Sequence, residues 1–459
     1  MTVKNGNPLQ RAAGSAVVRV VVIGVLVFVL QIPLLLVQDM IRERGARYHQ
    51  TVQEIGGQWG RAQLLMGPVL VLPYKTRSLS ANGFPTETNG QVYLLPETLD
   101  IGAKVTPERR YRGIFETVVY GLDFTLKSHF ATPKPPEVTN RVYQWDQAYL
   151  VMDVTDPRNL VPAGGVRVGG AELPVRPAAQ GQTLLNLPGV QAALPGLSAE
   201  SKGFDVAFTA TLRGSADLSF IPAAEKTTAS LQSSWPAPGF TGAYSPATRK
   251  IGADGFTATW DIGFFGRGYG QTWESRETAA LQHPFRASAF GVELVQPAND
   301  YQQVDRATKY GNLFIVLTFA AYFLFELLAG ARVHLMQYGL LGASLVMFYV
   351  LLLSLSEPLG FAPAYALSAI AVLVQSTLYG ASVLRRKASA ALVGALLLGL
   401  YMLLYVILGM ESYALLSGAI VLFAVLSAIM YLTRNVDWGK LTPKLPTPPA
   451  APSPAPNDG

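Results

Sequence analysis

Residues 17–37 of the chain read VVRVVVIGVLVFVLQIPLLLV, an apolar run whose single charged side chain is Arg19. At 1.5 Å of rise per helical residue, a run of this length crosses the roughly 30 Å hydrocarbon core of a bilayer. A helix satisfies every backbone amide within the segment where water is absent. The run therefore predicts a membrane-spanning helix near the start of the chain.

Further apolar runs of similar length follow this segment near the end of the chain. They are residues 311–328, 335–355, 364–384, 388–408 and 412–432. The 459 residues are 50% hydrophobic and only 14% charged, which is too little charge to cover a soluble protein of this size. The runs are continuously apolar, whereas a membrane β-barrel would show short alternating stretches. We therefore expect an α-helical bundle of six transmembrane helices, comprising residues 17–37 and 311–432.

The position of the charged residues excludes one class of function. The net charge is +6, but residues 38–310 contain 26 Lys and Arg against 25 Asp and Glu. The positive excess lies at the membrane edges, where it describes topology and does not indicate a polyanionic ligand. We expect the phospholipid bilayer as a partner and no nucleic acid.

The basic residues also predict which way the helices cross the membrane. The loops rich in basic residues and the N-terminal segment should lie in the cytoplasm. Their basic residues are Lys4, Arg11, Arg19, Arg332, His334, Arg385, Arg386, Lys387, Arg434, Lys440 and Lys444. The loops 356–363 and 409–411 carry no Lys or Arg and should face outward. Both termini are therefore predicted to be cytoplasmic, and residues 38–310 to lie outside the cytoplasm behind an uncleaved first span.

The predicted domain order follows from these spans. A cytoplasmic N-terminus (1–16) precedes the first span, and a proline-rich cytoplasmic tail (433–459) follows the last. The exported domain (38–310) should begin with an amphipathic helix at 40–60, because apolar residues recur there at helical spacing. Short alternating runs between Gly and Pro residues then predict a large, inserted, β-rich domain that resembles an antiparallel sandwich. Examples are 68–74, 113–130, 142–154, 204–212, 217–221, 255–265 and 290–295.

No strong catalytic motif is present. The chain contains no cysteine and only four scattered histidines, which argues against disulfides, thiolate sites and a zinc site. The short motifs of serine hydrolases, zinc proteases and P-loop NTPases are also absent. We therefore predict no catalytic residue, no metal, no cofactor and no enzymatic activity.

Polar residues at the entry to the second span form the first candidate site. Asp305 and Lys309 are four residues apart and should share a helix face, with Arg306 and Tyr310 beside them. Two basic groups on the outer side oppose the usual charge bias, so they should contact acidic side chains or lipid phosphate. Two roles stay open for this cluster: coupling of the exported domain to the bundle, or lipid contact.

Polar residues within or next to the predicted spans form the second candidate set: Glu326, Glu357, Gln375 and Glu411. Glu326 lies close in sequence to Arg332, so the two should neutralise each other at the interface unless Glu326 lies on a proton or solute path. Gln375 and Gln337 can join helices through hydrogen bonds.

Several short motifs lie at the entry to the membrane bundle, within the bundle and in the exported part. The junction run contains Pro297, Asp300, Tyr301 and Gln302, followed by DRATKY at 305–310. Further motifs lie at Phe325-Glu326, His334, Met336-Gln337-Tyr338, Phe348-Tyr349, Leu352-Leu353, Ser356-Glu357, Leu432-Thr433-Arg434-Asn435, Asp437-Trp438, Gly67-Pro68, Ser234-Trp235-Pro236, Gly255-Phe256 and Trp260. Over about residues 15–440, these motifs resemble those of the CreD family of inner-membrane proteins of cell envelope integrity. The chain departs from the family pattern at Leu335, where a proline commonly follows the histidine, and in its proline-rich tail.

The resemblance implies a multi-pass protein of the bacterial inner (cytoplasmic) membrane with a periplasmic domain, produced under a two-component regulon. It also implies a part in envelope integrity and stress response, with family phenotypes in colicin tolerance and β-lactam response. It supplies no catalytic residue. The leading hypothesis is binding of an envelope component or periplasmic protein through the periplasmic domain. Transport or lipid handling by the bundle, and an envelope hydrolase, are the alternatives, and the oligomeric state stays open.

Overall fold

The computed structural model describes residues 16–79, 84–179, 181–295, 300–329, 333–384, 387–409 and 414–434. The chain divides into two compact units. The helical unit combines Met1–Ala46 with Ala298–Gly459, and the β-rich unit is Arg47–Pro297. Most of the predicted N-terminal segment and nearly all of the predicted tail lie outside the described residues.

Of the eight α-helices in the described residues, seven belong wholly or partly to the helical unit and one belongs to the β-rich unit. The helices are α1 (Ala16–Trp59), α2 (Thr278–Ala287), α3 (Asp300–Lys309), α4 (Gly311–Ala329), α5 (Leu335–Leu359), α6 (Phe361–Leu384), α7 (Lys387–Gly409) and α8 (Ala414–Thr433). Only α2 lies wholly in the β-rich unit, and α1 contributes residues to both units.

Within the described residues, four helical segments are long and apolar enough to cross a membrane: Arg19–Trp59, Leu335–Leu359, Phe361–Ser382 and Ala391–Gly409. The helices Asp300–Lys309 and Gly311–Leu324 meet at a bend of 41° and make a fifth span if they are counted together. The chain is therefore a membrane protein with four to five apolar helices of spanning length in its described part. The predicted span 412–432 overlaps α8 and stays a prediction.

The start of α5 shows how local sequence defines a helix end. The His334 side chain accepts a hydrogen bond from the Met336 backbone N–H at 3.3 Å, and the Gln337 side chain accepts one from the His334 N–H at 2.8 Å. This reciprocal capping satisfies backbone donors that have no partner within the helix. Gln337, predicted to join two helices, is thus seen capping its own helix. Gly360, with a φ of 79°, is the single residue between α5 and α6.

Nineteen strands are present among the described residues. They are β1 (Gln63–Leu79), β2 (Pro85–Leu94), β3 (Thr98–Arg112), β4 (Phe115–Phe130), β5 (Arg141–Tyr143), β6 (Tyr149–Val154), β7 (Val161–Pro162), β8 (Val166–Val168), β9 (Ala171–Leu173), β10 (Arg176–Pro177), β11 (Gly189–Ala193), β12 (Phe204–Ser215), β13 (Asp217–Ile221), β14 (Lys226–Ser233), β15 (Pro238–Gly242), β16 (Thr248–Gly252), β17 (Gly255–Gly263), β18 (Thr272–Glu274) and β19 (Phe290–Leu294). The run 142–154, predicted as one strand, is divided into β5 and β6 by a 3₁₀ turn at Trp145–Gln147.

The strands form two sheets. Sheet A has ten strands in the order β10-β11-β6-β1-β13-β19-β15, with β2 and β5 also paired to β1 and β18 paired to β2. Sheet B has nine strands in the order β16-β17-β14-β3-β4-β12-β8-β9, with β7 paired to β12.

The sequence predicts strands like those of an antiparallel sandwich, but one strand pair in each sheet is parallel. Strands β1 and β13 run parallel with Gln63 opposite Leu218, and β3 and β14 run parallel with Thr98 opposite Lys226. Alternation along a strand determines which face is buried, but it does not specify the direction of the neighbouring strand. The β-rich unit therefore contains mixed sheets.

One apolar cluster takes side chains from both sheets. Val69, Leu70 and Leu72 of sheet A and Tyr120 and Phe124 of sheet B are almost fully buried in it. Along β3, buried and exposed positions alternate, as expected for a sheet with one face toward a core. The two sheets of the β-rich unit thus share a common core.

The last turns of α1 pack within the β-rich unit through Trp59. The indole N–H donates to the Tyr120 carbonyl oxygen at 3.2 Å. The guanidinium groups of Arg110 and Arg213 lie 4.3 and 4.2 Å from the centroid of the ring. Each such cation–π contact contributes about 0.5–1 kcal/mol near a surface. Gly60 follows, where a Cβ would lie 2.4 Å from the Arg213 carbonyl oxygen.

Replacing Trp59 with alanine should lower the free energy of unfolding of the β-rich unit by about 2 kcal/mol, because two cation–π contacts and one hydrogen bond are lost. Urea unfolding of the purified chain in detergent, followed by circular dichroism, measures the change. The control is Phe265→Ala, which removes a fully exposed ring of the same unit and should leave the unfolding midpoint unchanged. Equal midpoints for all three proteins would contradict the prediction.

Candidate functional site

The predicted cluster on α3 contains an ion pair. Lys309 Nζ lies 2.7 Å from Asp305 Oδ2, one helical turn away. Arg306 lies on the same helix, and Tyr310 follows it, with its backbone N–H donating to the Ala307 carbonyl at 3.2 Å. The Lys309 side chain is 63% exposed, so the pair contributes only a few tenths of a kcal/mol in water.

Glu357 lies in a second polar cluster, near the end of α5. Its carboxylate accepts a hydrogen bond from the Tyr301 hydroxyl at 3.0 Å, and Arg44 Nη1 lies 3.8 Å from the same oxygen. Asp300 directly precedes Tyr301, and its Oδ1 accepts a hydrogen bond at 3.1 Å from the backbone N–H of Phe361, the first residue of α6. Side chains of α1, α3 and α5 thus meet at Glu357. No local sequence pattern indicates Arg44 or Tyr301 as partners of this residue.

Glu326 lies in a third polar cluster at a different position in the bundle. It is buried in α4, forms an ion pair with Arg19 of α1, and its other oxygen lies 3.4 Å from the Tyr338 hydroxyl of α5. Arg332, the partner predicted from sequence proximity, lies outside the described residues. An acidic side chain in a membrane helix is costly unless a cation accompanies it, and Arg19 is that cation.

The Glu326 and Glu357 clusters are separated by about the thickness of a hydrocarbon core. Tyr338 and Glu357 both lie on α5, and their separation in sequence corresponds to about 28 Å of helical rise. Arg19 and Arg44 lie on α1 about 38 Å apart by the same measure. Charged groups are thus held at two levels of the bundle, as expected for the two surfaces of a membrane about 30 Å thick.

Between these levels, polar contacts join two helices. The Ser344 hydroxyl of α5 donates to Gln375 Oε1 of α6 at 3.2 Å and lies 3.4 Å from the Ser376 hydroxyl. Gln375 therefore joins α6 to α5 through one hydrogen bond. Glu411, the remaining candidate from the sequence, lies outside the described residues.

The β-rich unit contains a cleft that the sequence did not reveal, with a volume of about 800 Å³. This volume falls within the range of small-molecule sites, roughly 300–1,000 Å³. Its walls are rich in carboxamide side chains, and we name it the glutamine cleft after them. These side chains are Asn89, Gln91, Gln144, Gln147, Gln182 and Gln191.

Strand register explains why several of these side chains face the same space. Directly opposed residues share a face of a sheet, as do residues two apart in one strand. Gln91 lies opposite Pro73, and Asn89 lies opposite Lys75, two residues further along β1. Tyr149 pairs with Val71 on the other edge of β1, which places it on this face as well. The cleft therefore occupies one face of sheet A.

The cleft opens where β1 changes partner along one edge. Strand β6 pairs with β1 as far as Val71, and β5 pairs with it from Tyr74. The segment that connects β5 to β6 carries Gln144 and Gln147, and the Gln144 backbone N–H donates to the Pro73 carbonyl at 2.8 Å. The break between β6 and β5 along β1 thus leaves an open space next to β1.

The amide oxygens of three glutamines in the walls are turned toward the protein. Gln91 Oε1 accepts from the Tyr93 hydroxyl at 2.8 Å, while its Nε2 donates to the Tyr149 hydroxyl at 3.2 Å. Gln182 Oε1 accepts the Ala179 backbone N–H at 3.2 Å. Gln191 Oε1 is shielded from solvent and has no hydrogen-bond partner among the described residues. The three amides therefore have N–H groups to offer to the cleft.

A buried carboxylate holds the segment that carries Gln182. Asp153 is fully buried on β6 and accepts the backbone N–H groups of Leu184 and Leu185 at 3.2 and 2.6 Å. Burial raises the pKa of Asp153 to about 6, although the two N–H donors and the charge of Arg286 act in the opposite direction. This aspartate therefore titrates in the mildly acidic range.

Behind the wall, Tyr74 belongs to a charged network. Its hydroxyl donates to Glu274 Oε2 at 3.1 Å, Arg141 Nη1 lies 3.0 Å from Glu274 Oε1, and the Arg141 guanidinium lies 3.8 Å from the centroid of the Tyr74 ring. Burial alone would raise the pKa of Glu274, but the hydrogen bonds from Arg141 and Tyr74 and the charges of Arg141 and Arg276 outweigh it and lower that pKa. The Arg141 and Glu274 side chains are largely buried, so the pair acts as a structural support.

The side chains that line the glutamine cleft offer hydrogen bonds and positive charge. Within the described part of the chain, its lining includes no carboxylate and no histidine to act as a general acid or base. No group of three or more His, Asp or Glu residues there could hold a metal ion. Hydrogen-bonding amides, a lysine and an arginine surround a space large enough for a small molecule.

Comparisons with known proteins identify a family to which nearly the whole chain is similar. The model of the family described as "Inner membrane protein CreD" matches residues 15–439. The inner membrane protein CreD of Escherichia coli is 32% identical over 419 residues, which cover 90% of this chain and 91% of that protein. The chain is thus similar over nearly its whole length to a protein named for its place in the inner membrane.

The similarity to solved structures is weak. A zinc metallopeptidase from Deinococcus radiodurans is 10% identical, with a TM-score of 0.18, over 37% of this chain and 38% of that one. A mutant of the same enzyme is 12% identical, with a TM-score of 0.21, over 37% and 38% of the two chains. These values are too low to support any inference about fold or function.

Replacing Asp153 with asparagine tests the raised pKa of this group. Between pH 4 and pH 6 the folded state retains the Asp153 proton that the unfolded state releases, so this group makes the folded state less stable as the pH rises. The difference between a pKa of 3.8 and one of about 6 corresponds to about 3 kcal/mol. The cost of Asp153→Asn should therefore be largest at pH 4 and smaller by up to this amount at pH 7.

Urea unfolding of the purified chain, followed by tryptophan fluorescence at both pH values, measures this difference. The control is Met152→Leu, which changes the neighbouring residue without changing a titratable group and should cost the same at both pH values. A cost of Asp153→Asn that does not vary with pH would rule out the raised pKa.

Proposed function

The chain belongs to the CreD family of inner membrane proteins, and we propose that it supports the cell envelope by binding an envelope component in the glutamine cleft of its β-rich unit. The mechanism is stoichiometric binding, and the membrane helices hold the binding unit at the surface of the inner membrane. The role in envelope integrity is the one that the family resemblance implies.

The glutamine cleft is the observation that carries this proposal. A preformed space of about 800 Å³, with amide groups held by neighbouring tyrosines and backbone, is suited to recognition. Fixed donors reduce the entropy that a ligand must overcome on binding. The described lining has no carboxylate and no histidine, which favours a binding role over a hydrolase.

The pairing of the charged groups in the bundle favours an anchoring role over transport. Glu326 is paired with Arg19, and Glu357 with Arg44. A carboxylate in an ion pair at each membrane surface fixes the level of the helices, because moving either pair into hydrocarbon would be costly. These pairs therefore support a bundle that holds its position in the membrane.

The full topology is also part of the proposal. Six spans cross the membrane, the sixth formed by α8, with both termini in the cytoplasm and residues 38–310 in the periplasm. Sheets A and B pack as a sandwich, which their common core supports. The α3 cluster lies at the periplasmic surface of the inner membrane, within reach of lipid phosphate groups. Its residues are Asp305, Arg306, Lys309 and Tyr310.

Single cysteines can map this topology directly, because the natural sequence has none. Gln147→Cys and Gln302→Cys should react with a membrane-impermeant maleimide in cells whose outer membrane has been permeabilised, because both positions are exposed and the proposed topology puts them in the periplasm. Arg434→Cys should react only after the inner membrane is opened. The parent chain without cysteine is the control for labelling. Reaction of position 434 before positions 147 and 302 would contradict the orientation.

Photocrosslinking from the cleft tests the binding function. A cysteine-directed benzophenone at Gln147→Cys should form an adduct with an envelope component in living cells, because position 147 lines the cleft. The matched control is Gln232→Cys, an exposed glutamine on β14 of the other sheet. Mass spectrometry identifies the adducts. Identical adducts from both positions, or none from position 147, would count against the cleft as a binding site.

A further inference from the structure

We propose that the ligand of the glutamine cleft is an oligosaccharide with an acidic substituent, held by amide N–H donors and oriented by Arg176. This inference rests on the proposed binding function and names the chemical class of its ligand. The same chemistry is available from two sources in the periplasm, the glycan of the cell wall and the sugars of lipopolysaccharide on its way to the outer membrane. The test below separates the two.

Several side chains of the cleft offer hydrogen-bond donors to a ligand. In Gln91 and Gln182 the amide oxygen already accepts a hydrogen bond from the protein. Gln91 also donates one N–H to Tyr149, so its second N–H and the amide nitrogen of Gln182 are left for a ligand. Gln191 has a solvent-shielded oxygen, so its amide nitrogen is likewise left for a ligand. Lys75 and Arg176 are also donors without acceptor capacity. These five side chains favour a ligand with several acceptor oxygens, such as linked sugars with hydroxyl and carbonyl groups.

The cleft also carries positive charge. Lys75 lies 3.9 Å from the Glu87 carboxylate, and both side chains are 46% exposed. Arg176 is exposed, and no carboxylate of the described residues lies within ion-pair distance of it. The described lining holds no acidic side chain that would repel an anion. A ligand with an acidic substituent on a body rich in hydroxyl groups matches this distribution.

The lining of the cleft also has an apolar part. It comprises Pro73, Pro174, Ala193 and the ring of Tyr149. Sugar rings present C–H faces between their hydroxyl groups, and such faces pack against proline and tyrosine rings. A purely apolar ligand would leave the amide donors without partners, which costs free energy for each one. The volume of about 800 Å³ admits more than one sugar ring.

Calorimetry on the full chain in lipid nanodiscs tests the proposal with a defined set of saccharides. The neutral probe is the tetramer of N-acetylglucosamine. The acidic probes are a tetrasaccharide released from cell-wall glycan, which carries lactyl carboxylates, and the core oligosaccharide released from lipopolysaccharide. We expect at least one acidic probe to bind about tenfold more tightly than the neutral tetramer, because it adds a charge-assisted hydrogen bond to Arg176. The acidic probe that binds identifies the source.

Two exposed positions of the cleft provide variants that keep the fold intact. Arg176→Gln should reduce the affinity for the acidic probe to that for the neutral tetramer and leave the neutral tetramer unchanged. Gln147→Leu should weaken both probes about fivefold, because it removes one hydrogen bond to the sugar. The matched controls are Arg249→Gln and Gln232→Leu, exposed residues of sheet B whose replacement should leave the affinity for every probe unchanged.

Two results would overturn the saccharide proposal, and they are distinguishable from failure of the binding function itself. If no saccharide binds at millimolar concentration while position 147 still crosslinks a peptide or lipid in cells, the ligand class is wrong and the binding function stands. If position 147 captures nothing and no saccharide binds, both proposals fail. Equal affinity of Arg176→Gln and the parent chain for the acidic probe would exclude the role of Arg176.

Discussion

Hydrogen bonding of the β1 backbone is the interaction on which the β-rich unit depends. This strand pairs with β13 and then β2 along one edge, and with β6 and then β5 along the other. Each change of partner follows from the need to satisfy every buried amide over a strand longer than any of these neighbours. The change from β6 to β5 leaves the gap in which the glutamine cleft forms, so the site is a consequence of how one strand completes its hydrogen bonds.

The helical unit meets the same requirement in a different solvent. Within hydrocarbon each backbone amide must bond inside its own helix, so the chain crosses as long apolar helices. The charged side chains of these helices then need partners of opposite charge, and Arg19 with Glu326 and Arg44 with Glu357 supply them at two levels about one membrane thickness apart. The bundle therefore holds paired charges at two levels, and the glutamine cleft, which we propose as the recognition site, lies in the β-rich unit.

Local spacing accounts for the contacts that could be predicted. Asp305 and Lys309 are one helical turn apart, and their ion pair follows from the helix period alone. Four long apolar runs and the β-rich insert likewise follow from composition and alternation. The sequence predicts Arg332, which lies outside the described residues, as the partner of Glu326. The ion pair that the structure shows is with Arg19, 307 residues earlier in the chain. A single sequence contains no signal for a pairing at such separation.

The sequence by itself determined that the chain enters a membrane and that a β-rich domain is inserted after the first helix, because solvent preference and periodicity are local properties of a segment. Only the tertiary structure decided which strands run parallel, which acid pairs with which base, and where the amides of Gln91, Gln182 and Gln191 meet. Gln91 lies 91 residues before Gln182 and 100 residues before Gln191, and each looks like an ordinary surface residue in its own strand or loop. They become a site only when strand pairing and the buried Asp153 carboxylate bring their backbones together.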